Sequence, residues 1–340
     1  MIVSTYHDSV NALQGLACAD AAPAPSPFDR AEWYALLAET GLVPLIAIAS
    51  DGQEGAALAL TEEAGRIAPL RNWYSFTWRQ LAPAGERGDR LLAAIARQLK
   101  AKGHRVTLSP VPDEDGSATR LACAFREAGW RVEVTRYDIN HVLHVSGRSF
   151  AEYWAGRPGR MRTTLKRKGK KVETRILTEF DANLWSHYER IYAESWKPEE
   201  DHPAMLRDFA RAESEAGRLR FGMAWHEGEP VAAQCWTVEG GAAFIHKLAH
   251  LESHRHLSAG TTLTAALFEH VIDRDRVRTV DFGTGDQPYK ADWMEEVRPR
   301  YQIDCLDMKR PRAWFDLARL AARRLTMAQA PELAPSPPAG

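Results

Sequence analysis

Residues 241–294, GAAFIHKLAHLESHRHLSAGTTLTAALFEHVIDRDRVRTVDFGTGDQPYKADWM, decide the fold. Ala242–Leu251 alternates apolar and polar side chains as a strand does, and ends in a histidine-rich loop. Ser258-Ala-Gly-Thr261 opens a helix over 260–272, in which Leu263, Ala266, Leu267 and Val271 recur at the spacing of one buried face. Arg278–Phe282 reads as a second strand, closed by Gly283-Thr-Gly285; a short helix with Tyr289 and Lys290 follows Asp286. Ser258 suits an N-cap, and Ala259 and Gly260 let a ligand approach the backbone. The free N–H groups of the first turn, at the positive end of the helix dipole, make a seat for a phosphate or pyrophosphate. An ordinary strand–helix–strand unit has the same outline.

The rest of the chain limits the reading. With 340 residues, 45% apolar and 26% charged, it has material for one large or two ordinary folded units. A net charge of −1 does not mark a nucleic-acid binder by bulk charge. Cys18, Cys123, Cys235 and Cys305 are widely spaced and form no C-x-x-C pair, which fits a reducing compartment. No signal peptide opens the chain, and its longest apolar run, Leu42–Ala49, is far short of the ~20 residues of a spanning helix. The expectation is a cytoplasmic protein, with a peripheral place on the inner membrane as the variant.

Residues 1–28 read as a flexible arm with an Ala/Pro tract. Asp29 is placed as the cap of a helix ending at Gly41. Leu45–Ser50 and Gly55–Leu60 form a hairpin about Asp51-Gly52, followed by a strand at 67–70. A helix (88–102), a strand (106–111), a helix (117–128) and strands at 130–138 and 141–145 complete a first half. The second half repeats that order: a hairpin about Glu227-Gly228, then the stretch quoted above, then a strand at 301–308. The fold class is α/β, with two copies of one mixed-sheet unit, 29–147 and 218–310. A helical insertion, 148–217, lies between them.

In the insertion, 157–171 (RPGRMRTTLKRKGKK) holds eight basic residues and no acidic one. A solvated helix face, a clamp for the phosphates of a nucleotide donor and a contact for anionic lipid all fit it; RNA fits less well, because no aromatic side chain interrupts the run. A last helix, 311–328, places Trp314, Leu317, Ala318, Ala321 and Leu325 on one face with arginines around it, either packed on the second unit or lying in a membrane interface. Residues 329–340 read as a disordered tail. His250, His254 and His256 are spaced H-x-x-x-H-x-H, but in a loop with no completing ligand, so no metal is expected. Gly283-Thr-Gly285 lacks the rest of a dinucleotide fingerprint, and no G-x-S-x-G or P-loop is present.

Three linked blocks, K-L-A-H (247–250), L-S-A-G-T-T-L (257–263) and V-D-F-G-T-G-D-Q-P-Y-K-A-D-W (280–293), resemble the C-terminal half of the FemAB-like, CelD/BcsL-type branch of the GNAT N-acyltransferases. The chain has Ala259 where that branch usually has Pro. Ser195-Trp-Lys197, Asn72-Trp-Tyr-Ser75 and Arg157-Pro158 extend the resemblance over roughly residues 28–310. It implies tandem GNAT-like units with a degenerate first copy, an acyl-CoA co-substrate, and Trp196, Lys197, Tyr74 and Arg157 as walls of the acceptor site. Core packing is the alternative use of those aromatics.

The reaction expected is acyl transfer from a thioester to a primary amine. The N–H groups of Ser258, Ala259, Gly260, Thr261 and Thr262 hold the pyrophosphate, with Arg255 beside them. Asp286 is the first candidate base and His246 the second; Lys247 is a candidate oxyanion donor, Tyr289 the proton source for the leaving thiolate, and Lys290 a phosphate or acceptor contact. The resemblance covers polysaccharide-linked acetyltransferases, peptidoglycan aminoacyl transferases and a bacterial ceramide synthase. A sphingoid-type lipid amine is therefore the first acceptor, and an amino sugar of exopolysaccharide the second. An aminoacyl-tRNA donor and a non-catalytic binding subunit remain as alternatives.

Overall fold

The computed structural model describes residues 1–16 and 24–329, with Cys18 and the tail from 330 onward outside them. One twelve-stranded sheet runs through the molecule in the order β1-β2-β3-β4-β5-β12-β6-β11-β10-β9-β8-β7. The first half supplies β1 (Val3–His7), α1 (Ala31–Glu39), β2 (Leu45–Ser50), β3 (Gly55–Glu63), β4 (Arg66–Pro69), α2 (Gly85–Leu99), β5 (Arg105–Val111), α3 (Ser117–Glu127) and β6 (Arg131–His144). Two short helices follow, α4 (Phe150–Ala155) and α5 (Gly159–Lys168). The second half supplies β7 (Glu173–Leu177), α6 (Ala182–Ala193), α7 (Pro203–Glu215), β8 (Leu219–His226), β9 (Glu229–Glu239), β10 (Ala242–His250), α8 (Ala259–Glu269), β11 (Thr279–Thr284), α9 (Pro288–Trp293), β12 (Glu296–Leu306) and α10 (Pro311–Gln329).

The expected repeat is present in the pairing. All neighbours are antiparallel except β4 with β5 and β10 with β11, one parallel pair in each half. The halves also exchange strands: β12 lies between β5 and β6 of the first half, and β6 lies between β12 and β11 of the second.

Local chemistry explains the elements. Glu227 and Gly228 both have positive φ, as a tight β8–β9 hairpin turn requires. Helix α8 lies on β8 and β9, where Gly222 leaves room for Leu263 and Leu267; a Cβ there would sit 2.8 Å from Leu267 Cδ1. Gln234 reaches up from β9 to the Thr264 hydroxyl at 2.7 Å, and Trp236 Nε1 donates to Gln234 Oε1 at 3.0 Å.

Several expectations need correction. Val3–His7 is an edge strand on β2 rather than part of a loose arm. Asp29 does not cap α1; its carboxylate accepts from Ser26 Oγ at 2.7 Å and pairs with Arg79 at 2.8 Å. The two strands expected at 130–138 and 141–145 are one strand, β6, held continuous by β12 along its length. The stretch expected to be a helical insertion contains a strand, β7, paired with β8, and this pairing places α6 and α7 on the second half's sheet. On that pairing we propose that the second unit begins near Glu173. Helix α10 packs beside β12 of the second half and is also tied to the first: buried Asp316 pairs with Arg66 at 2.8 Å and meets His104 Nε2 at 3.1 Å, while Trp314 and Ala318 face outward.

Candidate active site

The site forms where two parallel strands part. β10 pairs with β11 only from Ala242 to Phe244, yet it continues along β9 to His250. Each strand carries an irregularity at the parting, between Ile245 and Lys247 in β10 and between Asp281 and Thr284 in β11. A bulge re-aims side chains and ends pairing, and here it does both. His246 and Lys247, adjacent in sequence, both contact the layer formed by α6, α7 and the loop after α6.

Lys247 is 6% exposed, and its Nζ donates to Glu200 Oε1 at 2.7 Å. The Tyr74 hydroxyl donates to the same oxygen at 2.8 Å, and the Tyr188 hydroxyl to Glu200 Oε2 at 3.2 Å. Lys247 also lies over the Tyr74 ring, 4.2 Å from its centroid. Burial lowers the Lys247 pKa while Glu200 opposes the shift. Lys197 is more strongly affected: burial first, then the charge of Lys247, brings it to about 8. Glu200 is absent from the sequence expectations. It stands in the run Glu199-Glu200-Asp201, and nothing in that run says which carboxylate turns inward.

His246 has a different setting. Its ring lies among Phe28, Phe76 and Phe209, its Nε2 is 2.7 Å from Thr237 Oγ1, and burial pushes its pKa down to about 3. It is neutral near pH 7 and a poor proton acceptor. Asp286, the first candidate base, has a side chain 82% exposed and faces His141 Nε2 of β6 at 3.6 Å.

Lys290 belongs to the opposite wall. It is 5% exposed and donates to the Thr284 carbonyl at 2.5 Å; burial lowers its pKa to about 8. Tyr289 is 43% exposed with its ring edge-on to Phe282, and desolvation raises its pKa, so it remains a proton donor.

The start of α8 is open to a ligand, though not as expected. Ser258 occupies the N-cap position in a left-handed conformation (φ 54°), and its side chain caps nothing. Its hydroxyl accepts from Lys168 Nζ at 3.1 Å, so the end of the basic helix α5 is held against this helix start. The Ala259, Gly260 and Thr261 amides precede the first intrahelical bond, which Thr262 N makes to Ser258 O at 3.1 Å. Arg255 is exposed one turn earlier, in the short helix Glu252–Leu257. The residues present therefore fit a phosphate-bearing group.

His250 joins the two parts. Its ring is 4.3 Å from that of Trp196, and its Nδ1 lies 3.3 Å from where a Gly260 Cβ would be. From α8 the site runs through His250, Trp196 and Lys197 to Glu200 and Lys247. Arg157 is elsewhere: it pairs with Glu295, donates to the Trp293 carbonyl at 3.3 Å and lies over Tyr153, tying α4 to the α9–β12 corner. His254 is turned to His226 and His256, away from His250's partners, and among the described residues no group of three or more His, Cys, Asp or Glu is gathered to hold a metal.

A groove of about 920 Å³ opens between α6 and α7, lined by Tyr192, Pro198 and Leu206 and by charged side chains that include Lys197, Glu200 and Arg207. Lys197 and Glu200 thus face both the groove and the parted strands.

This architecture, two mixed-sheet halves each with one parallel pair and a helix start at the parting, is that of tandem GNAT-like folds. Residues 159–291 match the acetyltransferase (GNAT) domain family. No curated protein sequence matches the chain. Among solved structures it is similar to FemX (10% identity, 90% of this chain and 98% of that one, TM-score 0.62). It is also similar to L-PGS from Bacillus licheniformis (11%, 87% and 91%, 0.59). A third is a tandem GNAT protein from the clavulanic acid biosynthesis pathway (15%, 89% and 98%, 0.50). At these identities the likeness is one of fold.

Proposed function

We propose that the protein is an N-acyltransferase that moves an acyl group from acyl-CoA to a primary amine, with a lipid amine of sphingoid type as the acceptor. The observation that carries the reading is the Lys197–Glu200–Lys247 group, which lies between the groove of mixed polarity and the start of α8. The amides of Ala259–Thr261, with Lys168 and Arg255, would hold the donor's pyrophosphate, and the donor would supply an acyl group activated as a thioester.

The residues on the acceptor side have separable tasks. Glu200 attracts the acceptor as an ammonium ion. Lys197, with a pKa of about 8, is partly neutral near pH 7 and takes the proton that the amine must lose before it attacks. Lys247 stays charged against Glu200 and donates toward developing negative charge. Tyr289 supplies a proton to the departing thiolate, and Lys290 fixes the turn beneath it through the Thr284 carbonyl. Asp286 acts only at second hand, through His141. The groove sets Leu206, Ala204 and Pro198 beside charged Glu199, Arg207 and Asp208, a mixed lining that suits an acceptor with an apolar body and a polar head.

The test is thiol release from acyl-CoA, with sphinganine or glucosamine as acceptor, across pH. Wild type is expected to turn over sphinganine with kcat/KM rising through about pH 8. In Lys197→Met that rise disappears, and only the rise set by the acceptor's own ammonium remains. An unchanged profile in Lys197→Met would remove Lys197 as proton acceptor. Turnover with glucosamine alone would move the acceptor to sugars.

A further inference from the structure

Helix α10 presents to solvent a face that a folded protein ordinarily covers. Trp314 is 60% exposed and Phe315 74%, and Ala318 beside them is exposed as well. At 100° per residue these three side chains fall on one stripe. The stripe is not a failed core contact. The inward face of the helix is occupied: Ala313 is fully buried, and Asp316, 2% exposed, is fixed by Arg66, by His104 and, at 3.6 Å, by Arg105. The helix is docked by its polar side, and its aromatic side is left over.

Charge identifies what covers it. Asp316 is the only acidic residue between Pro311 and Gln329, and it points inward. The flank of the stripe carries exposed Arg312 and Arg319, and Phe315 overhangs a groove of about 760 Å³ that these two arginines share with Arg66. Paired aromatic side chains bordered by arginines match the boundary between lipid headgroups and acyl chains. A two-fold dimer through this face would set the arginines of one copy against those of the other.

We propose that α10 docks the protein on an anionic lipid surface, with Trp314 and Phe315 inserted at the level of the acyl chains and Arg312 and Arg319 among the phosphates. The helix lies in the interface and does not cross it; no helix among the described residues is long and apolar enough to span a membrane. This contact does not depend on the acyl-transfer reading, and it extends that reading by bringing the protein to where lipid substrates are.

The experiment is co-sedimentation of the full chain with phosphatidylcholine vesicles and with mixed phosphatidylcholine–phosphatidylglycerol vesicles, at low and high salt. Binding is expected only to the mixed vesicles, weakened by salt, and reduced at least about tenfold in Trp314→Ser/Phe315→Ser and in Arg312→Glu/Arg319→Glu. All four side chains are exposed, and the one bond Trp314 loses is from Nε1 to the Met308 carbonyl at 3.2 Å, so the thermal midpoints of both variants should stay within a few degrees of wild type; circular dichroism melts check this. Equal binding by wild type and both variants, or no binding to mixed vesicles, overturns the proposal. A dimer in gel filtration that the aromatic variant dissociates overturns it in favour of a second copy. Retention of an RNA oligonucleotide, lost in the arginine variant and unaccompanied by vesicle binding, overturns it in favour of nucleic acid.

Discussion

Glu200 is the residue on which the site turns. Its carboxylate takes hydrogen bonds from a lysine of β10, a tyrosine of the first half and a tyrosine of α6. The His202 amide in turn donates to the Tyr74 hydroxyl at 2.9 Å, which fixes the loop after α6 on both sides. A buried pair behaves asymmetrically: its net contribution is small, but removing one partner strands the other charge in a dry place. Glu200→Ala should therefore cost about 3–5 kcal/mol, as such losses do. Glu200→Ala/Lys247→Met should regain most of that, as measured by urea denaturation. If the single and double variants are equally destabilised, Lys247 is not held by Glu200. None of this is visible in the sequence. Lys247, Trp196 and Lys197 stand out there through their motifs, but the partner of Lys247 is one of three consecutive acidic residues. Which one turns inward is decided by Tyr74, more than a hundred positions away in the chain.

At the scale of elements, the sequence is most legible where period and turn chemistry agree. The hairpins at Asp51-Gly52 and Glu227-Gly228, the start of α8 and the β10 strand have local causes and are found, although Ala266 of the expected α8 face is only half-buried and the bulge after Ile245 breaks the β10 alternation, burying Lys247. It is least legible where a partner decides. β7 is five residues, Glu-Thr-Arg-Ile-Leu, at the sheet edge, too short and too polar to announce itself. β6 reads as two strands because its burial changes midway, exposed toward Arg131 and buried toward His144, although β12 holds it as one. The seat at α8 is legible as a helix start, but the Lys168 contact is not. The packing under α8 allows a test. A side chain at Gly222 would enter the space of Leu263 and Leu267 and lift the helix whose first turn is the proposed anion seat. Gly222→Leu should destabilise by about 1–3 kcal/mol, as overpacking does. It should also weaken CoA binding, seen as a lower thermal midpoint and a smaller calorimetric signal. Unchanged CoA affinity in a destabilised variant would separate the seat from the packing beneath it.

At the scale of the whole molecule, the two halves are one sheet joined by exchanged strands. Separate expression of residues 1–146 and 147–340 should give two poorly folded fragments that recover a cooperative thermal transition only when mixed. A native-like melt for either fragment alone would show that the exchange is not needed for folding. The same exchange sets a schedule during synthesis. Among the described residues β12 is the last strand, and it fills the gap between β5 and β6, which are complete more than 150 residues earlier. Until residue 306 has left the ribosome, β5 keeps one unpaired edge, and β6 has both edges unpaired until β11 is made and one thereafter; such edges recruit other chains. Slow translation of the second half would lengthen that exposure, so the yield of soluble protein should depend on how quickly its last third is made.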